Sequence, residues 1–598
     1  MLNKDVFHTD PAQYRLANAG VAKLEVPSPP EKQQVLRGEL STFVCDGHYA
    51  EGLARILESY LGGVGKGTSP AVWVSGFYGS GKSHLAAMLA ALWINVTFDD
   101  GVTAEGLVQD IPQPVKAALM ELKAAGKRHG GLFAAGGSMP GGSVDPAAAI
   151  LGILLRASGL PETVREAEIA FWLEDEGILD EVRSKLGDTF EVDVRRAVLS
   201  SRFADVVLAA KPSLGKDSTE LRARLKDSFQ PTDTVSPADL VRLARRALML
   251  GRKTLPLTLL VLDEVQQFIN NDPSQTLKVQ TAVEALSSAF DGKLLVVATG
   301  QQALNDIPDL QKLLGRFPVT VALGDSDIDT VVRRTVLRKK PEAESKIRDM
   351  LNARAGEISR HLHGSRFAHA PEDDATAVAD WPLLPSRRKV WHAILAELDQ
   401  QGLKGNLRGQ LHSTLAAAQK YASQPLGHAA AADFLYERVS DDAVKGNLIS
   451  RETNEKIETL RAGSERDQIK ARVLMLVYML NRIAGDAERH GVRAKADVLA
   501  DLMIVDLAGE PALRGMIPAL LQELAEDGAV LEVEGGEWRL QTKASAEWEA
   551  AFRDEKRRAS NDPAAVSRGR NEAIDRALAA ALAGATSVNQ GRAMVKSD

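Results

Sequence analysis

Four runs of consecutive apolar residues stand out from a chain in which apolar positions otherwise recur at helical spacing. They lie at 71–75, 257–264, 293–299 and 319–323, and the second run ends in two carboxylates. An apolar run without alternation is typical of a strand that is covered on both faces, as in a parallel sheet. The pattern therefore predicts an α/β fold built on parallel strands.

Apolar residues spaced three or four positions apart predict helices over most of the remaining chain. The helices predicted before residue 328 are 31–61 with a break at Gly47, 107–127, 146–157, 162–173, 182–186, 193–210, 238–250, 275–290 and 304–314. From Ile328 onward the pattern is almost entirely helical. The long interval between the first two apolar runs predicts a helical insertion at about 101–250, in which 130–142 fits a short core strand and a loop.

The glycine-rich segment after the first run predicts a phosphate-binding loop. Gly-Phe-Tyr-Gly-Ser-Gly-Lys-Ser at 76–83 has the spacing G-x-x-x-x-G-K-S between a strand and a helix. Glycines let the backbone turn its N–H groups toward phosphates, and the start of the helix adds partial positive charge. Lys82 is the expected partner of the β- and γ-phosphates, and Ser83 the expected Mg²⁺ ligand. The predicted nucleotide-binding residues are Gly76, Phe77, Tyr78, Gly79, Ser80, Gly81, Lys82, Ser83 and His84.

Two carboxylates follow the second run, at the edge of a parallel sheet where ligands bind. Asp263 is the candidate Mg²⁺ ligand beside Ser83. Glu264 is the candidate base that orients and deprotonates an attacking water. Together with the phosphate loop they predict a Mg²⁺-dependent ATPase with ATP and Mg²⁺ as cofactors, rather than a protein that only holds nucleotide.

Three further residues are candidates for catalytic roles around the γ-phosphate. Thr299 ends the third run and is a candidate polar sensor, with Gln301 as its substitute and helix capping as the alternative role. Arg316, in Gly-Arg-Phe-Pro at 315–318, is a candidate arginine finger for a neighbouring subunit, which predicts a homo-oligomer; a solvated or structural arginine is the alternative. Arg408, in an apparent lid helix, is a candidate phosphate contact.

Composition limits the remaining classes of function. The 598 residues are 44% hydrophobic and 26% charged, as in multidomain soluble proteins. No apolar stretch reaches the ~18 residues of a membrane span. One cysteine, Cys45, fits a small core residue in a reducing cytoplasm. A net charge of −7 gives no general attraction to DNA. His361, His363 and His369, with the acids at 372–374, are predicted to be solvated surface rather than a metal site.

The order of phosphate loop, Asp-Glu strand, Ala-Thr strand, Gly-Arg-Phe turn and helical lid resembles the AAA+ ATPases, most closely their origin-recognition-like branch, from 31 to about 421. Three segments are similar to the BrxC/PglY family, the P-loop protein of BREX bacteriophage-exclusion systems. They are Trp-Val-Ser-Gly-Phe-Tyr-Gly-Ser-Gly-Lys-Ser-His at 73–84, Leu-Leu-Pro-Ser-Arg-Arg-Lys-Val-Trp at 383–391 and Gly-Glu-Trp-Arg-Leu-Gln-Thr-Lys at 536–543. That similarity runs to about Arg558, and its two later segments are the more discriminating.

The resemblance implies ATP-dependent action in restricting phage DNA, with other BREX proteins as partners. It also implies a longer protein, so a truncated or short member is expected. The expected domains are an N-terminal arm at 1–30, an AAA+ core at 31–325, a helical lid and connector at 326–450, a winged-helix-like domain at 451–558 and a helical tail at 559–598.

The winged-helix-like prediction rests on two helices followed by a hairpin with a Gly535-Gly536 turn. Its predicted recognition helix at 511–526 carries Arg514 as its only basic residue, and its wing is acidic, so packing against protein is favoured over DNA contact. A basic cluster is the better DNA candidate, although a solvated helix face is the alternative. It comprises Arg553, Lys556, Arg557, Arg558, Arg568 and Arg570.

Two functions remain open. The first is a ring- or filament-forming ATPase that acts on DNA or on DNA-bound defence proteins. The second is a scaffold or signalling switch in which ATP occupancy controls assembly and hydrolysis only resets it. Glu264 favours turnover.

Overall fold

The computed structural model describes residues 1–14, 25–26, 28–76, 80–140, 144–232, 234–270, 272–301, 313, 315–400, 407–541, 543–583, 588–590 and 593–595. These residues form two compact units. The first comprises Met1–Met350, Ala375–Leu383 and Leu398–His428, and the second comprises Leu351–Asp374, Leu384–Glu397 and Ala429–Asp598. None of the described helices is both long and apolar enough to cross a membrane.

A six-stranded sheet lies at the centre of the first unit. Its strands are β1 (Glu25–Val26), β2 (Val72–Ser75), β3 (Leu132–Ser138), β4 (Leu257–Asp263), β5 (Leu294–Gly300) and β6 (Val319–Ala322), in the spatial order β1-β3-β4-β5-β2-β6. β1 runs antiparallel to β3, and every other neighbouring pair is parallel. The four predicted runs are confirmed as β2, β4, β5 and β6, and the strand expected within 130–142 is β3.

Helices surround this sheet and follow most of the predicted periodic segments. Up to residue 353 they are α1 (Gln33–Thr42), α2 (Gly47–Gly63), α3 (Lys82–Trp93), α4 (Ala104–Leu107), α5 (Gln113–Arg128), α6 (Pro146–Ala157), α7 (Val164–Asp175), α8 (Leu179–Leu186), α9 (Phe190–Arg195), α10 (Ser201–Ala210), α11 (Ser218–Ser228), α12 (Pro237–Met249), α13 (Val265–Ile269), α14 (Pro273–Ala289), α15 (Asp325–Arg334) and α16 (Pro341–Ala353). The helix predicted at 304–314 lies largely outside the described residues.

The two faces of the sheet carry separate hydrophobic cores because successive strand residues point to opposite sides. Leu260 and Leu262 of β4 pack with the insertion helices, including Ile150, Phe171 and Phe203. Leu259 and its neighbours of the opposite face pack with α1, α2, α3 and α5. Insertion helices α6 to α12 therefore cover one face of the sheet and α5 covers the opposite face, while β3, from within the same segment, is part of the sheet itself.

The first residues of the chain are packed rather than extended as the predicted arm. Phe7 is buried, and Asn3 is fully buried. Asn3 Nδ2 donates to the carbonyl oxygens of Tyr421 and His428 at 3.1 and 2.8 Å, and Trp381 Nε1 donates to Asn3 Oδ1 at 2.9 Å. The prediction of an arm is wrong for these residues because each polar atom of the Asn3 side chain has a partner inside the fold.

The later part of the chain is helical with one hairpin. Its helices are α17 (Ala355–Arg360), α18 (Asp374–Asp380), α19 (Pro385–Gln400), α20 (Leu407–Lys420), α21 (Phe434–Lys445), α22 (Arg451–Arg461), α23 (Glu465–Arg482), α24 (Ala487–His490), α25 (Ala496–Met503), α26 (Pro511–Glu526), α27 (Lys543–Asn561) and α28 (Pro563–Ala583). α18 and α20 belong to the first unit. β7 (Val530–Val533) and β8 (Glu537–Leu540) form an antiparallel hairpin, as do β9 (Val588–Gln590) and β10 (Ala593–Val595).

The β7–β8 hairpin follows α26, in the order that the sequence predicts for this region. Trp538 is buried, and the carboxylate of Glu537 is paired with Arg493 at 2.8 Å and Arg539 at 3.2 Å. Asn481 Nδ2 of α23 donates to the carbonyl oxygen of Trp538 at 3.0 Å. The residues at 536–540 thus have a structural role in holding the hairpin against α23.

A buried arginine also has a structural role in the second unit. Arg387 is fully buried, and its guanidinium donates to the carbonyl oxygens of Ala430 at 2.6 Å and Asp501 at 3.1 Å, and to that of Ile504. Trp391 Nε1 donates to the carbonyl oxygen of Ala432 at 3.0 Å. The segment 383–391 therefore fixes loop backbone in the second unit.

Candidate functional site

The predicted phosphate loop begins directly after a central strand. β2 lies between β5 and β6 and is buried at all four positions. Gly81 caps α3 with φ +89°, a left-handed conformation that favours glycine. A Cβ on Gly76 would lie 2.5 Å from Ser80 Oγ, so this approach also requires glycine. Three of the predicted binding residues, Phe77, Tyr78 and Gly79, lie outside the described residues.

Aromatic residues of the preceding helices support the described part of the loop. The Tyr49 hydroxyl donates to the carbonyl oxygen of Ser80 at 2.7 Å, and Tyr49 is buried. Phe43 packs edge-on against the rings of both Tyr49 and His84. Ser80 is itself fully buried, and its hydroxyl has no hydrogen-bond partner within the described part of the chain. Sequence reasoning missed Tyr49, whose role has no motif to reveal it.

Lys82 lies in the first turn of α3 with its ammonium directed back along the loop. Its Nζ donates to the carbonyl oxygen of Gly76 at 2.7 Å. Burial lowers the pKa of Lys82 to about 8, and the negative charges of Asp263 and Glu264 oppose that effect. The protein therefore places this lysine near both carboxylates, in surroundings that disfavour its charged form until an anion arrives.

A hydrogen-bonded triad joins the ends of β4 and β5. Thr299 Oγ1 donates to Asp263 Oδ1 at 2.5 Å and accepts from the backbone N–H of Glu264 at 3.0 Å. Asp263 and Thr299 are buried. Glu264 has φ +61°, a left-handed conformation that costs a non-glycine residue roughly 1–2 kcal/mol. The threonine hydroxyl thus bonds to both acidic residues. These two contacts account for the hydroxyl without a helix-capping role.

Gln301 contributes to this site through its backbone. Its N–H donates to Gln266 Oε1 at 2.7 Å, which ties the end of β5 to the short helix α13 that follows Glu264. Sequence reasoning missed Gln266, although its position two residues after Glu264 places it at the same sheet edge.

Arg316 is positioned by the packing of the adjacent Phe317 and by an ion pair with Glu284. Phe317 is fully buried and packs edge-on against Trp73 of β2, with ring centroids 5.6 Å apart. This contact anchors the turn that carries Arg316. The guanidinium Nη2 lies 2.7 Å from Glu284 Oε1 on α14, and both side chains are exposed, at 39% and 49%. The arginine is therefore accessible, but within one chain its partner is Glu284.

The remaining predicted residues are distributed as follows. The backbone of Arg408 lies in the first turn of α20, and its side chain lies outside the described residues.

His84 and Ser83 line a pocket of about 430 Å³ beside α3. The other wall includes Val35 and Leu36 of α1. The pocket extends along α3 from Ser83 to Thr97, and its lining combines apolar residues with the charged residues Glu25, Lys32 and Glu39.

The oxygen atoms at the sheet edge fit a magnesium ion. Asp263 supplies a buried carboxylate and Ser83 a hydroxyl at the start of α3, and Mg²⁺ prefers hard oxygen ligands supplemented by phosphate and water. Ser83 is half-buried. These two residues would hold the ion, which would neutralise developing charge on the phosphates.

The histidine-rich stretch in the second unit differs from the predicted solvated surface. His361 is 1% exposed, and its Nε2 lies 3.2 Å from Glu357 Oε1. Burial and the nearby charge of Arg387 lower the pKa of His361 to about 3, so its ring is neutral at neutral pH. The surface prediction holds for His363 but is wrong for His361, and no cluster of metal-ligating side chains occurs in the described ranges.

Two arginines of the basic cluster, and Arg514 of the predicted recognition helix, are paired with acids. Arg514 is bonded to Glu357 and Asp501, and its side chain is 12% exposed. Arg557 pairs with Asp554, and Arg558 Nη1 lies 3.5 Å from Glu555 Oε2, all on the exposed surface of α27. Each of these arginines therefore has an acidic partner in the same unit.

Comparison with known proteins adds little to this geometry. No protein-family model matches the chain. Among solved structures, the Drosophila ORC bound to DNA aligns at 13% identity over 90% of this chain and 96% of that chain, with a TM-score of 0.27. A similarity this low carries no argument. The structure itself defines a mixed α/β protein with a mainly parallel sheet and a predominance of helix.

Proposed function

We propose that the chain is a Mg²⁺-dependent ATPase of the AAA+ type. The observation that carries this proposal is the Asp263–Thr299–Glu264 triad, which lies at the sheet edge together with Lys82. Lys82 and the start of α3 bind the phosphates, Asp263 and Ser83 hold Mg²⁺, and the pocket beside His84 receives the base and sugar.

Glu264 carries the chemical step in this proposal. Its carboxylate accepts a proton from the attacking water, and the hydrogen bond from its backbone N–H to Thr299 holds the backbone from which the side chain extends. The ammonium of Lys82 stabilises the charge that develops on the phosphates, and a Mg²⁺ ion held by Asp263 and Ser83 would supply further positive charge there. Arg316 completes the site of a neighbouring subunit once its pairing with Glu284 is broken.

The test of the proposal is the substitution Glu264→Gln. We expect ATP binding to persist while single-turnover hydrolysis slows by at least ~10²-fold, since a positioned base typically contributes that much. Glu162→Gln, at an exposed carboxylate of the insertion, is the matched control. Equal hydrolysis by the Glu264→Gln variant and the parent chain would refute the assignment.

The similarity of the 73–84, 383–391 and 536–543 segments to the BrxC/PglY family supports a role in a BREX-type defence system. In that role the ATPase acts on DNA or on DNA-bound defence partners in the cytoplasm, through a homo-oligomer. The pairing of Arg514, Arg557 and Arg558 with acids favours partner proteins over direct phosphate contact.

A nucleotide-gated scaffold is the second candidate. The observation that favours it is the Arg316–Glu284 pair, because an arginine that is paired within its own chain depends on assembly to break that pair. In that case ATP would promote assembly of the Glu264→Gln variant as fully as of the parent chain, and the defence function would survive the loss of hydrolysis.

A further inference from the structure

A row of cations lines the edge of the sheet opposite the candidate nucleotide site. The segments 127–131, 251–254, 291–293 and 65–68 lead into β3, β4, β5 and β2, which are neighbours in that order. These segments contain six lysine or arginine residues and one acidic residue, Asp291. We call the six cations the basic edge. They are Lys66, Lys127, Arg128, Arg252, Lys253 and Lys293.

Backbone hydrogen bonds hold the four segments side by side. The carbonyl oxygens of Gly131 and Lys293 accept from N–H groups of β4 at 3.0 and 2.7 Å, and that of Asp291 accepts from the N–H of Gly65 at 3.1 Å. Neighbouring strands lie about 4.8 Å apart, so a row across four strands spans about 15 Å. The cations therefore form one continuous surface within the first unit.

The basic edge lacks the acidic partners that other cations of the chain have. None of the six residues forms an ion pair with a described residue, and all except the half-buried Lys293 are exposed. Burial and the charges of Lys293 and Arg128 lower the pKa of His129, which lies between them in this row. The arginines of α26 and α27, by contrast, are paired with acids.

Helix dipoles explain part of this charge. The helices α2, α5, α12 and α14 end directly before or within the four segments, and each helix end carries about half a negative charge. Together the four ends offset about two of the six cations, and Asp291 offsets one more. The basic edge therefore keeps a positive charge, although the whole chain carries a net charge of −7.

We propose that the basic edge binds the phosphate backbone of duplex DNA. The exposed residues of the four segments are glycine, threonine, lysine, arginine and Asp291, so these segments offer no exposed apolar or aromatic anchor. Protein partners depend on such anchors, and single-stranded nucleic acid depends on aromatic side chains for stacking. A row of point charges instead fits a regular series of phosphates.

The length of the row sets the number of contacts. Each strand of a duplex presents a phosphate about every 3.4 Å along the axis, so about 15 Å faces about four phosphates. The choice of DNA rests on the proposed function, in which the protein acts on DNA. The charge row itself lies at the far edge of the sheet and does not depend on ATP hydrolysis.

The test is fluorescence anisotropy of a labelled duplex of about 30 base pairs with the full chain and no nucleotide. The logarithm of the binding constant should fall against the logarithm of salt concentration with a slope of about −4, as four phosphate contacts require. Lys127→Gln, Arg128→Gln and Lys253→Gln together should weaken binding by at least ~10²-fold at about 50 mM salt and make the slope about three units shallower. A parent chain that does not bind at this salt concentration would overturn the proposal.

A matched control separates the basic edge from net charge. Lys116→Gln, Lys226→Gln and Lys278→Gln together remove the same charge from exposed positions outside the four segments. This control should keep the parent affinity and slope, and urea unfolding of both triple variants should show that they are folded. Equal loss of binding in both triple variants would show that the contact is not made by the basic edge.

Further arms identify the occupant and keep the two proposals apart. A duplex RNA of the same sequence that binds more tightly than the DNA, or polyglutamate that displaces the DNA at equal charge, would refute duplex DNA as the ligand. Glu264→Gln should bind DNA as the parent chain does, and the basic-edge variant should hydrolyse ATP at the parent rate without DNA. Loss of hydrolysis alone therefore contradicts the ATPase assignment, whereas unaltered DNA binding by the basic-edge variant contradicts this inference.

Discussion

Removal of the Thr299 hydroxyl should separate positioning from folding at the sheet edge. Thr299→Val keeps the shape of a buried strand residue but deletes one hydrogen bond to the Asp263 carboxylate and one from the Glu264 N–H. Loss of these two bonds costs about 2–4 kcal/mol, which corresponds to a roughly 30- to 1000-fold slower hydrolysis if it falls on the transition state. Thr299→Ser, which retains the hydroxyl, should recover most of the rate.

Single-turnover hydrolysis at increasing Mg²⁺ concentration is the decisive assay. Because Asp263 loses its hydrogen-bond donor, Thr299→Val should require more Mg²⁺, while nucleotide binding without Mg²⁺ should be unchanged. Thr258→Val is the matched control, since Thr258 is also a buried threonine of this sheet but lies at the opposite end of β4. Equal rates and Mg²⁺ requirements for Thr299→Val and the parent chain would refute the positioning role, as would a Thr299→Ser variant that folds but stays inactive.

Three further outcomes are expected. Burial holds the pKa of Lys82 at about 8, and a bound phosphate would raise that pKa, so ATP binding between pH 8 and 9 should take up a proton and weaken as the pH rises. Calorimetry in two buffers with different ionisation enthalpies should detect this proton uptake. The Lys82→Met variant should show no proton uptake. Arg316→Ala should lower turnover and regain part of it when mixed with Lys82→Ala subunits, whereas Glu284→Ala should not lower it; the absence of recovery in a steady-state assay would exclude a shared site. Arg514→Ala leaves two acids, Glu357 and Asp501, without their shared cation, so urea unfolding should show a loss of about 2–4 kcal/mol, and an unchanged midpoint would contradict this view of the pair.

The sequence predicts the strands of the sheet and the position of Asp263 at its edge because both depend on local signals. The strand that ends in Asp263 carries apolar residues on both faces, and the glycine spacing before Lys82 has few other physical explanations. Parallel pairing then brings Thr299 beside Asp263, since Leu262 pairs with Ala298 in the register of β4 and β5. The proximity of these residues follows from strand order, which periodicity alone does not give.

Features that depend on distant partners could not be predicted in the same way. Asn3 is a polar residue near the start of a polar stretch, and only its contacts with Tyr421, His428 and Trp381 explain its burial. His361 has a local partner in Glu357, four residues earlier, but its surroundings include the remote Arg387, whose charge acts on the pKa of the ring. For both Asn3 and His361 the sequence shows a polar residue, whereas contacts with residues remote in the chain decide whether that residue is buried.

The candidate site in the first unit contrasts with two charge clusters of the second unit, and this contrast supports a ligand at that site. In the second unit Arg387 donates to three carbonyl oxygens, and Arg514 binds two carboxylates, so these charges are compensated internally. In the first unit Lys82 has a lowered pKa, Glu264 holds a left-handed conformation and the buried Ser80 hydroxyl has no partner among the described residues. A triphosphate with Mg²⁺ would stabilise the charged lysine and offer an acceptor to Ser80. Unfavourable polar arrangements of this kind cluster at functional sites, which supports the proposed nucleotide site at the edge of β2, β4 and β5.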